Sequence, residues 1–150
     1  MTGVFEVNSV EETWELARKL AAELKPGDVI CLEGDLGAGK TTFTQGLAAA
    51  LGVPGRVNSP TFCIVQEHRT ERADANDQAS GAGHYLVHMD LYRLHDEDDV
   101  IAIGWEDFLA QGAILVVEWP ERAGALIPAN AWHVVFTHLD GEEARRIVFR

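Results

Sequence analysis

The sequence predicts an α/β domain built on a mixed, mostly parallel sheet flanked by helices, with a β-hairpin near its C-terminal end. Three observations carry that expectation. Residues 29–32 and 114–117 are short continuous apolar runs, the composition of strands buried on both faces. Segments with apolar residues at three- and four-residue steps lie between such runs, which is the βα alternation of an α/β fold. Near the end, residues 132–137 and 146–149 flank Asp140-Gly141, a hairpin signal.

The elements follow in order. Ser9 and Glu12 have the spacing of a capping box. Val10, Trp14, Ala17, Ala21 and Leu24 then place an apolar stripe on one face of a first helix. Pro26-Gly27-Asp28 turns the chain into the strand at 29–32, and a glycine-rich stretch, residues 34–39, comes next. Phe43, Leu47, Ala48 and Leu51 predict a second helix that starts at Lys40 and is closed by Gly52. Asn58-Ser59-Pro60 reads as a turn and 61–65 as a strand. Residues 67–84 are polar and aperiodic, and are expected to form a long loop inside a single domain spanning residues 1–150. Residues 85–92 alternate, with Leu86, His88, Asp90 and Tyr92 sharing a face. Residues 96–109 predict one or two short acidic helices broken at Gly104, and the run 114–117 ends in Glu118. Pro120 and Pro128 bound a connector before the hairpin, and the chain holds no internal repeat.

Apolar residues make up 47% of the 150 residues, enough for one core. Acids outnumber bases 24 to 12, for a net charge of −12. That balance argues against a broad basic surface for nucleic acid and against an anionic membrane as partner. No apolar run reaches the eighteen or so residues of a spanning helix, and the N-terminus lacks the basic start and apolar stretch of a signal peptide. Cys31 and Cys63 sit in apolar runs without metal-ligand spacing, so buried reduced thiols and a cytoplasmic location are expected.

Gly34-Asp35-Leu36-Gly37-Ala38-Gly39-Lys40-Thr41 matches the phosphate-binding loop pattern G-x-x-x-x-G-K-[ST] in full. Glycines let backbone N–H groups turn inward around phosphates, and the helix that follows aims its free N–H groups at the same anion. The expected nucleotide contacts are Asp35, Leu36, Gly37, Ala38, Gly39, Lys40, Thr41 and Thr42, with Lys40 on the β- and γ-phosphates and the Thr41 hydroxyl on Mg²⁺. The metal also needs a carboxylate at a neighbouring strand end; Glu118 and Asp90 both qualify. Thr61 is a candidate switch hydroxyl, or a turn residue. His88 reads as a histidine satisfied at a strand surface, with a supporting place beside Asp90 as the alternative. Trp119 is a stacking platform or a rim tryptophan, and Ser9 either approaches the base or simply caps its helix.

Five runs occur in order: Pro26-Gly27-Asp28-Val29-Ile30, the loop from Gly34 through Phe43, Ser59-Pro60-Thr61-Phe62, His88-Met89-Asp90-Leu91-Tyr92-Arg93-Leu94, and Glu118-Trp119-Pro120-Glu121-Arg122. Together they closely resemble the TsaE (YjeE) family of bacterial ATPases in tRNA threonylcarbamoyladenosine synthesis. The resemblance implies a P-loop NTPase-like fold, ATP with Mg²⁺, weak hydrolysis, and partnership with the TsaD and TsaB proteins, with tRNA engaged only indirectly. It implies that Glu118 is the Mg²⁺-binding acid, Asp90 a second metal or catalytic acid, Thr61 the switch threonine, and Trp119 a tryptophan close to the site. The stretch 67–84 is longer than the hairpin usual there. Two rivals share the loop: a small-molecule kinase, which needs an acceptor pocket and a basic lid absent from this chain, and a binding module in which nucleotide only orders a docking surface.

Overall fold

The computed structural model describes residues 2–35, 39–53, 64–69 and 85–150, in the case of Tyr85 for its backbone only. Seven strands form one sheet: β1 (Gly3–Val7), β2 (Val29–Gly34), β3 (Val65–Arg69), β4 (Tyr85–Asp90), β5 (Ile114–Glu118), β6 (Trp132–His138) and β7 (Arg145–Phe149). Their order is β1-β7-β6-β2-β5-β4-β3. The central pairings β6–β2, β2–β5 and β5–β4 are parallel, and those at both edges are antiparallel. The sheet is therefore mixed, with its parallel part where the strands are most apolar.

Helices α1 (Val10–Ala21) and α2 (Lys40–Ala50) cover one face, packing Leu16, Leu20, Phe43 and Leu47 on Ile30, Leu32 and Val116. Helices α3 (Glu97–Ala102) and α4 (Trp105–Ala110) cover the other, where Val100 and Trp105 meet Cys31, Val87, Met89, Leu115 and Val117. Alternation along each strand divides the two cores. The Ser9 cap forms as expected, its Oγ accepting from the Glu12 N–H at 3.1 Å, while the Glu12 carboxylate reaches one residue further and accepts from the Asn8 N–H. Gly104 takes φ +105° as the N-cap of α4 and breaks the acidic segment in two. β6 and β7 form the hairpin around Asp140-Gly141, closed by the Leu139 N–H on the Ala144 carbonyl.

Three expectations need correction. The buried face of α1 is Thr13, Leu16, Ala17, Leu20 and Ala21, while Trp14 is exposed at the rim and lies over Gly46 of α2. A side chain at Gly46 would meet the indole at 2.7 Å, so this close helix crossing leaves Trp14 outside the core. Residues 67–69 belong to β3 rather than to a loop, because the antiparallel ladder on β4 runs from Val65↔Met89 to Arg69↔Tyr85. Of the strand expected at 61–65, only residues 64 and 65 are described, and the rest of the 67–84 loop, residues 70–84, lies outside the described residues. The third correction concerns His88 and belongs to the site.

Candidate functional site

β2 runs out at Gly34, and α2 begins at Lys40 immediately after Gly39. Two glycines make this turn possible. Gly34 has φ +142° with the Phe136 carbonyl oxygen 2.6 Å from where a Cβ would stand, so only glycine lets β2 pass β6 there. Gly39 has φ +105°, the left-handed region, as the N-cap of α2. The intervening Leu36, Gly37 and Ala38 lie outside the described residues, as do Thr61 and Cys63. Asp35 is exposed at the end of β2, and Thr41 and Thr42 are half-buried in the first turn of α2.

The Lys40 side chain folds back so that its ammonium donates to the Gly34 carbonyl at 2.8 Å. It also stands 3.8 Å from Glu118 Oε1 and 5.9 Å from the centre of the Trp119 ring. Sheet register explains the meeting. Leu32 is opposite Glu118, and Glu118 is opposite Asp90, so the ends of β2, β5 and β4 form one row beside the N-terminus of α2. Glu118 is only 6% exposed, an unusual place for a carboxylate. Its Oε2 is 2.7 Å from His88 Nε2, and the His88 ring is fully buried. This corrects the strand-surface reading of His88: it lies on the same face of β4 as Leu86, which belongs to the core under α1 and α2. Asp90 is half-buried, and its Oδ1 accepts from the Tyr92 N–H at 3.1 Å.

Immediately after Glu118 the chain turns sharply. Trp119 has φ +58°, the one positive φ outside glycine among the described residues. A left-handed tryptophan is costly and persists where the surroundings hold it. Here its ring packs against Tyr92 at 4.9 Å between centres and stays 39% exposed at the rim. A cleft lined by Gly34, Lys40, Trp119 and Glu121 opens over this end of the sheet. Sequence reasoning missed two contributors. Tyr92 joins Trp119 only because β4 and β5 are neighbours, and the Arg145 side chain from β7 approaches Gly39. Ser9 is the helix cap described above, its Oγ accepting from the Glu12 N–H.

The two titration shifts near this part of the sheet have plain causes. Burial pushes the Cys31 thiol, on the opposite face, up to about 12, with the Glu33 and Glu121 carboxylates adding to it. Burial, and then the proximity of His88, lowers His68 on β3 below the usual histidine value.

Fold and site thus define a class: three-layer α/β proteins in which a glycine-rich turn and its lysine sit at the carboxyl ends of the central parallel strands. Within that class the chain belongs to the TsaE family. The family model described as "Threonylcarbamoyl adenosine biosynthesis protein TsaE" matches residues 7–147. The chain is 43% identical over 139 residues to the tRNA threonylcarbamoyladenosine biosynthesis protein TsaE of Bacillus subtilis, covering 93% of this chain and 79% of the relative. It is 44% identical over 118 residues to the TsaE of Aquifex aeolicus, covering 77% and 75%. The crystal structure of Bacillus subtilis YdiB superposes with a TM-score of 0.72 at 31% identity, over 99% of this chain and 84% of that one. Among the described residues no helix is long and apolar enough to cross a membrane.

Proposed function

We propose that this protein is a Mg²⁺-dependent ATP-binding protein and weak ATPase of the cytoplasm. In this reading it is required for threonylcarbamoyladenosine modification of tRNA and acts with TsaD and TsaB. The observation that carries the reading is the Lys40 ammonium, held between the Gly34 carbonyl and the Glu118 carboxylate at the N-terminus of α2. A cation there, with helix N–H groups beside it, is the arrangement that accepts a polyphosphate. The donor set suits Mg²⁺ as well. The Thr41 hydroxyl and the Glu118 and Asp90 carboxylates are hard oxygen ligands, and among the described residues no cluster of three His, Cys, Asp or Glu side chains would cage a metal without phosphate.

In this reading Lys40 neutralises charge on the β- and γ-phosphates, and Thr41 and Glu118 hold the metal. When bound, Mg²⁺ would neutralise charge that builds on the phosphate oxygens during transfer. Asp90 orients the attacking water from the next strand end, and Thr61, outside the described residues, is the proposed switch threonine. Trp119 lines the cleft and would limit water access there, with Tyr92 packed against its ring. The charge of −12 leaves contact with tRNA to the protein partners.

Phosphate release tests the proposal. Purified protein should hydrolyse ATP slowly alone and faster when TsaD and TsaB are both added. An unchanged rate with the partners, or no ATP binding in Mg²⁺, would overturn it.

A further inference from the structure

Glu118 has two oxygens facing different partners. Oε1 faces Lys40, which lines the cleft, and Oε2 is tied to His88. A carboxylate accepts only, so the proton in the 2.7 Å contact lies on His88 Nε2. Among the described residues the other ring nitrogen, Nδ1, is buried and has no hydrogen-bond partner. A proton there would be a buried unsatisfied donor, which is the costlier alternative, so Nδ1 carries the lone pair. The backbone fixes the ring's place: His88 is opposite Val116 on β5 and opposite Gln66 on β3. Ladders to buried β5 on one side and to edge strand β3 on the other hold its backbone in register.

We infer that His88 is a positioning residue: it donates from Nε2 to Glu118 and thereby aims the other carboxylate oxygen at the metal and phosphate position beside Lys40. The inference rests on the proposed nucleotide site. It assigns a role to a polar side chain buried in a row whose Leu86, Ile114 and Val116 are apolar and whose polar partner is Glu118. Without the histidine, Glu118 would lose its Oε2 partner and turn more freely beside Lys40. An outer partner of this kind typically changes metal affinity by about 10- to 100-fold.

Two measurements test it. In the first, ATP affinity is titrated calorimetrically with Mg²⁺ and with EDTA for the parent, His88→Gln and His88→Leu. The glutamine amide can donate to Glu118 as Nε2 does, whereas leucine cannot. His88→Leu should lose about 10-fold or more of the Mg²⁺-dependent gain in affinity while keeping its affinity in EDTA, and His88→Gln should restore most of the gain. Equal losses in both variants, or a His88→Leu loss that is the same in EDTA, would overturn the positioning role. A parent that shows no Mg²⁺-dependent gain would instead fail the proposed nucleotide site itself. In the second, long-range ¹H–¹⁵N correlation on the parent protein, assigned by loss of the signal in His88→Gln, reads the tautomer without depending on a folded leucine variant. A proton on Nε2 is expected, and a proton on Nδ1 with bare Nε2 would overturn the inference.

Discussion

The same three strands, β2, β5 and β4, present two different faces. On the α3–α4 side their residues are Val29, Cys31, Val87, Met89, Leu115 and Val117, an apolar layer closed by Val100 and Trp105. On the α1–α2 side the row is just as deeply buried, yet it contains His88 and Glu118. The remaining buried polar side chains among the described residues, Thr13 and Thr44, belong to the helices of that side and bond back to their own helix at Ser9 and Lys40. Burying a carboxylate costs several kcal/mol unless it is paired. One face therefore serves stability alone, whereas the other gives up some stability for a charged group held at the cleft.

Substitutions on the two faces should separate those roles. The largest effect is expected for Trp105→Ala, which empties a nearly fully buried site on the apolar face. It should lower unfolding free energy by about 3–5 kcal/mol in urea titrations, with ATP affinity of the folded fraction little changed. Lys40→Ala should do the reverse. It should weaken ATP binding by about 1.5–3 kcal/mol by calorimetry, with a smaller change in melting temperature. If Lys40→Ala binds ATP as well as the parent, the contrast between the faces fails.

Two pH effects are smaller. The Cys31 thiol is raised from its ordinary value of 9.0 to about 12, so the folded protein keeps its proton where the unfolded chain has lost it. The stability from this group is complete below about pH 9 and falls as pH rises toward 12. Urea midpoints at about pH 8 and about pH 10 should fall further in the parent than in Cys31→Ala. His68 has the opposite sense. Its value lies below the ordinary 6.5, so the unfolded chain takes up a proton first and stability falls as pH drops below about 6.5. His68→Asn should flatten that acid limb of the stability curve.

How much of this was legible in the sequence follows from which forces are local. The Ser9 cap, the Gly104 break and the Asp140-Gly141 hairpin depend on neighbouring residues, and all three form. The buried central strands carry their own apolar runs. β1 was not anticipated and residues 67–69 of β3 were assigned to a loop, because edge strands are half-exposed and mix polar with apolar residues. Trp14 was placed inward because a helical stripe gives a face, not the position of the second helix against it. The His88–Glu118 contact joins residues 30 apart, and nothing in either segment says that β4 and β5 lie side by side. Lys40 and the two strand-end acids could be singled out because their chemistry is written in adjacent residues, and the register sets them at one end of the central strands.

The central claim is that Glu118, buried on the polar face between His88 and Lys40, holds Mg²⁺ for a bound nucleotide. Calorimetric titration of ATP into Glu118→Gln, with Mg²⁺ and with EDTA, tests it most directly. Glutamine keeps the size of the side chain and removes its charge. The account predicts that the Mg²⁺-dependent gain in affinity is largely lost, while binding in EDTA is retained or strengthened as repulsion from the phosphates is relieved. A Glu118→Gln protein that gains as much affinity from Mg²⁺ as the parent would contradict it.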